Sequence, residues 1–389
     1  MDLTKRKIIV STHVYTTGPS QDLRKFLIDK KIERLLFIGH PLFYNKILKG
    51  SGYEIYKKGE KEKERYAKLR KIPFVISCFK DVFLNVLWGI KCGRGSDLYI
   101  GFDNLNAFSG VILKFFGIVQ KTVYYVVDYN PKRYKNRLLN SIYHKIDQFC
   151  VTYCDETWNL SPRMEEGRKK YFNFSKGNQK VVPMGAWLDR IQIPNFDDIE
   201  KHTLVFSGHV LEKQGIQHVI EAIPEIIKEI NDFKFKILGD GEYLGFIKDR
   251  ISGLGIEKYV EYTGFIDDPT DMEKMLTKCA LGVAIYEERD KNGNLAFTYF
   301  ADPGKLKLYL ACGVPILLTD VSYNAKLIED KKCGMIIKGE PQDIAHSVIS
   351  LMKNGGKLKE YRDNAISYSK EFDWNKIFSN NLSLICSIR

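Results

Sequence analysis

The sequence has eight cysteines but none of the spacings that would give them a shared role. No Cys-x-x-Cys motif occurs, and the closest two, Cys150 and Cys154, are four residues apart. This spacing excludes the common zinc-ribbon and thioredoxin-like patterns. Unpaired thiols of this kind indicate a reducing compartment.

Long apolar runs are also missing. No stretch approaches the roughly 18 uninterrupted apolar residues that a membrane-spanning helix needs. The chain passes from MDLTKRK directly into the apolar segment IIVST, without a signal-peptide pattern. We therefore expect a cytoplasmic protein that does not span a membrane.

Acidic residues are scarce in the first half of the chain. Residues 1–200 hold 35 Lys+Arg against 21 Asp+Glu, a net charge of +14, whereas the remaining residues hold 25 against 27, a net charge of −2. Such an asymmetry suggests an anionic surface or polymer as partner. A well-solvated lysine-rich surface is the alternative. We do not expect nucleic acid as a partner, because no recognised nucleic-acid-binding module is present.

Strands, glycine loops and helices alternate in the second half. An apolar strand near residue 203 leads into Ser207-Gly208 and an amphipathic helix from about Gly215, the next strand ends in Gly239-Asp240-Gly241, and a third delivers Gly264 and Phe265. This alternation is typical of a doubly wound parallel sheet, which binds ligands at the carboxyl ends of its strands. The 389 residues suffice for two domains with separate cores.

The stretch ADPGKLKLYLACGVPILLTD (301–320) predicts a helix start that faces an anion, followed by a buried strand. Proline suits the first turn of a helix, and Gly304 allows a ligand to approach the backbone closely. Lys305 adds a positive charge beside the free N–H groups of that turn. An ordinary helix–turn–strand crossover is the alternative interpretation.

These motifs together resemble the carboxyl half of a family 4 glycosyltransferase. The resemblance implies an α/β protein of the GT-B fold, with two Rossmann-like doubly wound domains that face each other across a cleft. It implies transfer of sugar from a nucleotide donor with retention of anomeric configuration. Lys213 would contact the donor diphosphate, and the Gly304-Lys305-Leu306 backbone would cradle it. The donor-binding set implied by the resemblance comprises Gly208, His209, Lys213, Gly239, Gly264, Phe265, Asp302, Gly304, Lys305 and Leu306.

Two positions depart from the family pattern. His209 stands where the family usually has a phosphate-binding arginine, and Leu308 stands where it usually has a ribose-binding glutamate. The commoner glutamate eight residues earlier is also missing, since position 300 is Phe. Asp302, Glu287 and Glu288 remain alternatives for the missing carboxylate. Imidazole does not replace the bidentate guanidinium fork without loss of phosphate affinity.

The sequence of the first half also predicts strands whose carboxyl ends carry candidate ligand-binding residues. Ile8–Thr12 reads as a strand, and Gly18 lies in the strand-to-helix loop that follows, with ligand binding or a simple turn as its alternatives. Asp128 follows the strand Thr122–Val127 and resembles the family's polar residue beside the reacting sugar, which makes it the catalytic candidate. A cap of the following helix is its alternative. His40 receives no role.

A charged run and an apolar run lie next to each other at residues 57–91. The pattern KKGEKEKERYAKLRK predicts a solvated helix face, and the aromatic segment IPFVISCFKDVFLNVLWGIK predicts a core helix or a helix in a bilayer interface. Peripheral contact with the inner membrane face through the basic half is the second interpretation. We expect an acceptor domain at 1–187, a donor domain at 200–372 and a crossing helix at 373–389.

The resemblance thus implies a hexosyltransferase that takes a nucleotide sugar and passes the sugar to a glycan or polyprenyl-linked acceptor in cell-surface polysaccharide or glycoconjugate synthesis. It contains no Asp-x-Asp triplet, which argues against the metal-dependent single-Rossmann glycosyltransferases, so no metal and no cofactor are expected. The alternatives are a non-catalytic partner subunit, a nucleotide-sugar epimerase of the same fold and, last, a nucleic-acid binder.

Overall fold

The computed structural model describes residues 2–13, 18–41, 50–67 and 72–387. The chain divides into two compact units, one of Met1–Pro183 with Trp374–Arg389 and one of Met184–Asp373. Each unit has its own sheet, with eight strands in the first and six in the second.

The first unit alternates strands and helices. Its strands are β1 (Lys7–Thr12), β2 (Arg34–Gly39), β3 (Gly52–Lys57), β4 (Glu60–Tyr66), β5 (Ser96–Phe102), β6 (Val119–Val126), β7 (Glu156–Asn159) and β8 (Gln179–Val181). Its first helices are α1 (Pro19–Asp29), α2 (Phe74–Cys92), α3 (Asn104–Phe115), α4 (Arg137–Tyr153) and α5 (Pro162–Phe172). The strand order is β4-β3-β2-β1-β5-β6-β7-β8, and β3 alone among these strands runs opposite to the rest, pairing antiparallel with β2 and β4.

The strand order of the first sheet reverses at β1. After β1 the chain builds outward through β2, and it later returns to the other side of β1 as β5. Ile8, Ile9 and Val10 are fully covered, as expected for a parallel strand with helices on both faces. The carboxyl ends of β1 and β5 therefore form the switch point at which doubly wound sheets bind ligands.

The charged run at 57–66 forms a hairpin, and the prediction of a helix there was wrong. Strand β4 pairs antiparallel with β3, and the turn between them places Lys58 and Gly59 at positive φ. Lysine and glutamate alternate along β4 on the solvent-exposed edge of the sheet, which is how edge strands avoid pairing with other chains. Residues 68–71 of the run lie outside the described residues.

The second unit repeats strand and helix throughout. Its strands are β9 (Glu200–Ser207), β10 (Lys234–Leu238), β11 (Val260–Gly264), β12 (Cys279–Ala284), β13 (Ile316–Leu318) and β14 (Gly334–Ile336). Its helices are α6 (Ile216–Glu229), α7 (Leu244–Leu254), α8 (Pro269–Thr277), α9 (Phe297–Phe300), α10 (Gly304–Ala311), α11 (Ala325–Asp330), α12 (Pro341–Met352) and α13 (Gly355–Ser369). The sheet is parallel throughout, in the order β11-β10-β9-β12-β13-β14.

Helix α6 shows why this sheet forms. Its apolar side chains recur every three or four residues, and that stripe is buried against the sheet core: Ile216, Val219, Ile220, Ile223 and Ile226. The strand order reverses between β9 and β12, so this unit also has a switch point at the carboxyl ends of two adjacent strands.

The chain returns to the first unit with α14 (Trp374–Ser387). The Phe378 ring lies 5.5 Å from the Phe26 ring of α1, and Lys121 donates a hydrogen bond to the Ile385 carbonyl over 2.8 Å. The last helix is therefore part of the first unit's core.

Candidate donor-binding site

Lys305 lies at the switch point of the second sheet. Its Nζ donates a hydrogen bond to Gln214 Oε1 over 2.9 Å and lies 3.9 Å from the centre of the Phe206 ring, at the end of β9. The Tyr286 ring, which follows β12, is 5.7 Å away. The ammonium is therefore held between the two strands where the sheet order reverses.

The Lys305 ammonium lacks a counterion in the described part of the chain. Burial lowers the pKa of Lys305 to about 7, and no nearby carboxylate opposes that shift. Aromatic faces and one amide oxygen compensate a desolvated charge only partly. An anion placed beside Nζ would restore the charged form, so the arrangement suits a phosphate group.

The first turn of α10 adds backbone donors beside this charge. The helix begins at Gly304 after Pro303, and the Leu306 N–H already donates to the Pro303 carbonyl over 3.1 Å. Of the three backbone groups predicted to cradle a phosphate, those of Gly304 and Lys305 have no acceptor within the described residues. The Leu306 side chain is fully buried and acts as a core residue.

Glycines bring two loops together beside Lys305. Gly208 and Gly239 follow β9 and β10, both have positive φ, and a Cβ on Gly239 would collide with the Gly208 carbonyl. A Cβ on Gly208 would lie 3.7 Å from Lys305 Nζ. These glycines therefore allow the loop after β9 to pass next to the cation, which any larger residue at 239 would prevent.

Three of the predicted donor residues are exposed near these loops. His209 follows Gly208, and Lys213 lies in the short turn whose next residue, Gln214, contacts Lys305. Phe265 follows Gly264 at the end of β11, and 73% of its surface is exposed. The structure thus leaves an imidazole, an ammonium and an aromatic ring accessible to a ligand.

The Asp302 carboxylate is buried and already hydrogen-bonded within the second unit. The buried carboxylate accepts hydrogen bonds from Lys307 Nζ over 2.9 Å, from Asn324 Nδ2 over 3.1 Å and from the Met184 N–H over 2.8 Å. Its oxygens are therefore occupied, which argues against Asp302 as the ribose ligand. Glu287 and Glu288 are exposed in the loop after β12 and remain the accessible carboxylates.

The two positions at which the family carries a glutamate are apolar in this chain. Leu308 is partly buried against the core around β12 and β13, and Phe300 is buried in α9. Neither position offers a polar atom to a ribose.

In the first unit, Asp128 is committed to a neighbour. It follows β6 and forms an ion pair with Arg133, while its buried Oδ1 has no hydrogen-bond partner among the residues that the structure describes. It does not cap the next helix, because Asn136 accepts from the Leu139 N–H at the start of α4. Gly18 precedes α1, and its carbonyl accepts from Gln21 and Asp22, which is the geometry of a helix start.

A polar cluster that the sequence did not predict lies at the first switch point. His13 follows β1, and its Nδ1 donates to Asp103 Oδ2 over 2.5 Å while its Nε2 faces Asp81 Oδ2 at 3.3 Å. Burial alone would lower the pKa of His13, but the two carboxylates outweigh it and raise the pKa to about 10. The two carboxylates thus favour the imidazolium form of His13.

His40, which received no role, belongs to the same cluster. Its ring is fully buried, faces Ser51 and Asn85 at 3.1 Å each and stacks on Trp88. In residues 2–13, 18–41, 50–67 and 72–387, no three His, Cys, Asp or Glu side chains are arranged to hold a metal ion.

Comparison with known proteins identifies the second unit. Residues 201–354 match the family model described as glycosyl transferases group 1. The alpha-monoglucosyldiacylglycerol synthase of Streptococcus pneumoniae is 27% identical over 230 residues, which cover 53% of this chain and 49% of that protein. The chain spans about half the length of the curated relatives it matches.

Solved structures match the whole chain in fold. Anabaena Alr3699/HepE in complex with UDP has a TM-score of 0.67 at 13% identity, covering 98% of this chain and 100% of that one. WaaG, a glycosyltransferase involved in lipopolysaccharide biosynthesis, has a TM-score of 0.66 at 14% identity, with the same coverage. These findings confirm the predicted fold class and the resemblance to group 1 glycosyltransferases.

Proposed function

We propose that this chain is a retaining glycosyltransferase, on the premise that its residues 201–354 belong to the glycosyl transferases group 1 family and that its two sheets adopt the GT-B fold. The donor is a nucleoside-diphosphate sugar and the acceptor a glycan or a lipid-linked molecule. The reaction serves cell-surface glycolipid or polysaccharide synthesis.

The observation that carries this proposal is the uncompensated Lys305 ammonium at the switch point of the second sheet. Together with the first-turn N–H groups of Gly304 and Lys305, it forms a site for the donor diphosphate. Lys213 adds a second cation from the loop after β9, and Phe265 offers a ring face to the nucleobase. Glu287 or Glu288 supplies the ribose contact that Leu308 cannot make.

The donor is a UDP-sugar in this proposal. HepE was solved with UDP and with UDP-glucose. The name of the pneumococcal relative describes glucosyl transfer to a diacylglycerol lipid. The first supports a uridine donor for this chain, and the second supports a lipid-borne acceptor.

In the proposed reaction the bond between the anomeric carbon and the diphosphate oxygen breaks, and a new bond to the acceptor oxygen forms on the same face of the sugar. The acceptor hydroxyl proton passes to the departing diphosphate. Lys305, Lys213 and the α10 N–H groups stabilise the negative charge that develops on the leaving group. The role of Asp128 is to orient the sugar or the acceptor from the first unit; no enzyme base is required.

Thermal unfolding against UDP, GDP, ADP and CMP, each with and without Mg²⁺, tests this proposal. A nucleotide at about 100 times its dissociation constant adds roughly 2.7 kcal/mol to the free energy of unfolding. We expect stabilisation by UDP that does not require Mg²⁺ and is lost in Lys213→Ala and Lys305→Met. No stabilisation by any nucleotide would contradict the proposal.

A non-catalytic partner subunit is the second candidate, because Leu308 is apolar and Asp302 is already occupied. The two candidates differ in turnover. The enzyme releases UDP from a UDP-hexose when an acceptor is supplied, and the partner subunit binds nucleotide weakly or without turnover.

A further inference from the structure

Helix α2 exposes its apolar side chains to solvent. The exposed fraction is 74% for Phe79 and 64% for Phe83. Large apolar residues on the same helix with nearly half or more of their surface exposed are Phe74, Val75, Ile76 and Ile90. A helix on the surface of a globular domain normally turns such residues toward the core.

The opposite face of α2 is polar and fixed in place. Asp81 faces His13 at 3.3 Å and His40 at 3.2 Å, and Asn85 forms buried hydrogen bonds with Ser11 over 2.7 Å and with Asn106 over 2.8 Å. Rotating the helix to cover its apolar face would leave these buried polar groups without partners, which is costly. The outward apolar face is therefore a consequence of the buried polar face.

Helix α4 extends the same kind of surface. The Phe74 ring at the start of α2 lies 6.1 Å from the Tyr134 ring, in the loop that leads into α4. Just beyond that loop, Leu138 is 71% and Ile142 46% exposed. We name as the α2–α4 face the exposed residues Phe74, Val75, Ile76, Phe79, Phe83, Leu138 and Ile142.

Exposed cations lie in the segments that form this face. The sequence from Asp128 to Asp147 contains no other acidic residue, and it includes the exposed Lys135, Arg137 and Lys145. The single acidic residue of α2, Asp81, is buried. Along α2 and between Asp128 and Asp147, the exposed charged side chains are thus all basic, which is complementary to anionic lipid headgroups.

We propose that the α2–α4 face binds the surface of an anionic lipid bilayer, with its aromatic and aliphatic side chains at the boundary between headgroups and acyl chains. None of the described helices is long and apolar enough to cross a membrane. An interfacial position needs only a few ångströms of insertion plus electrostatic attraction. The biological role of this membrane binding rests on the proposed function. The binding of the α2–α4 face to lipid itself requires no nucleotide.

The test is flotation of the full chain with vesicles, without donor or acceptor. We expect it to float with vesicles of equal phosphatidylglycerol and phosphatidylcholine, and much less with phosphatidylcholine alone or in 0.5 M NaCl. Phe79→Ser with Phe83→Ser should lower the partition coefficient at least about tenfold. Lys135→Glu with Arg137→Glu should lower it by at least about fivefold for each position changed.

A matched control distinguishes binding by this face from nonspecific hydrophobic adsorption to vesicles. Phe115 and Phe116 are 84% and 64% exposed at the end of α3 and are not part of the α2–α4 face, so Phe115→Ser with Phe116→Ser removes a similar apolar area outside it. The proposal predicts that this pair binds vesicles as the wild type does. Equal loss in both pairs, equal binding to neutral vesicles, or a concentration-dependent dimer that Phe79→Ser with Phe83→Ser abolishes would overturn it.

Folding and donor binding are followed in the same variants. All three double variants should keep the wild-type unfolding temperature and its response to UDP, because the altered side chains are exposed and lie outside the second unit. If UDP binds neither wild type nor variants, the proposed function fails while the vesicle result stands. If UDP binds and vesicles do not, only the membrane proposal fails.

Discussion

The two sheets each hold a cation at the switch point, and they compensate it in opposite ways. In the first unit, His13 lies between Asp103 and Asp81, and its pKa rises to about 10. In the second unit, Lys305 has an amide oxygen and two rings for neighbours, and its pKa falls to about 7. A cation with carboxylate partners supports the fold, whereas one without them is fully stabilised only when an anion binds.

The largest expected effect is the loss of nucleotide binding in Lys305→Met. Removing the ammonium takes away a charge-assisted contact to the diphosphate inside a desolvated site, so we expect UDP affinity to fall at least about 100-fold, or roughly 3 kcal/mol. Calorimetric titration with UDP measures it. Lys274→Met, which removes an exposed lysine on α8, is the control and should bind UDP normally. Unchanged UDP affinity in Lys305→Met would mean that Lys305, like His13, does not serve ligand binding.

The next effect is destabilisation by His13→Gln without loss of UDP binding. The change removes the cation partner of Asp103 and leaves Asp81 with Lys80, whose Nζ lies 2.9 Å from Asp81 Oδ1. We expect a loss of about 2 kcal/mol, reduced from fully buried pairs because Asp103 is partly exposed and Asp81 keeps an ion pair. Because the folded pKa is raised, this loss is largest below pH 6.5 and shrinks as pH rises toward 10. Urea denaturation at several pH values measures it. A loss of UDP affinity without a loss of stability would assign His13 to ligand binding instead.

Lys305→Met should also stabilise the nucleotide-free protein by roughly 1–2 kcal/mol at pH 7, since it removes a desolvated charge whose site is partly open to solvent. The sign is opposite to that at His13. The folded pKa is lowered, so the gain is full below about pH 7 and disappears as pH rises toward 10.5. Thermal unfolding of wild type and variant across that range checks it. A destabilised variant would mean that the fold already compensates Lys305.

The smallest effect concerns His209, which is exposed beside Gly208. His209→Arg restores a guanidinium fork next to the site, and we expect UDP affinity to increase about three- to tenfold. His209→Lys is the matched control, because it adds the charge without the fork and should give a smaller increase. No change in either variant would place His209 outside the reach of the diphosphate.

The regular parts of the fold could be predicted from sequence because their causes are local. The three- and four-residue apolar spacing of α6 and the glycines after β9, β10 and β11 identify strand, loop and helix directly. The hairpin at 52–66 was missed because its alternation of lysine and glutamate is also compatible with a solvated helix. Only pairing with β3, which the sequence does not reveal, decides between the two.

Residues of the candidate sites could be predicted from sequence only where they lie within a recognisable local motif. Lys305 was found because the PGK sequence precedes a helix, but its lack of a counterion depends on the loop after β9, about 90 residues earlier. Asp302 looked available until Lys307 and Asn324 were placed beside it. The His13–Asp103 pair joins the ends of two strands 90 residues apart in sequence, and nothing local marks either residue.

Proton uptake on UDP binding tests the central claim most directly. Calorimetric titration at pH 8, in Tris and in HEPES, gives the number of protons taken up from the difference in observed enthalpy between buffers of different ionisation enthalpy. At that pH the diphosphate is fully ionised and Lys305 is mostly neutral, so binding that recharges it takes up close to one proton. UDP binding with no proton uptake, or no binding at all, would contradict the account.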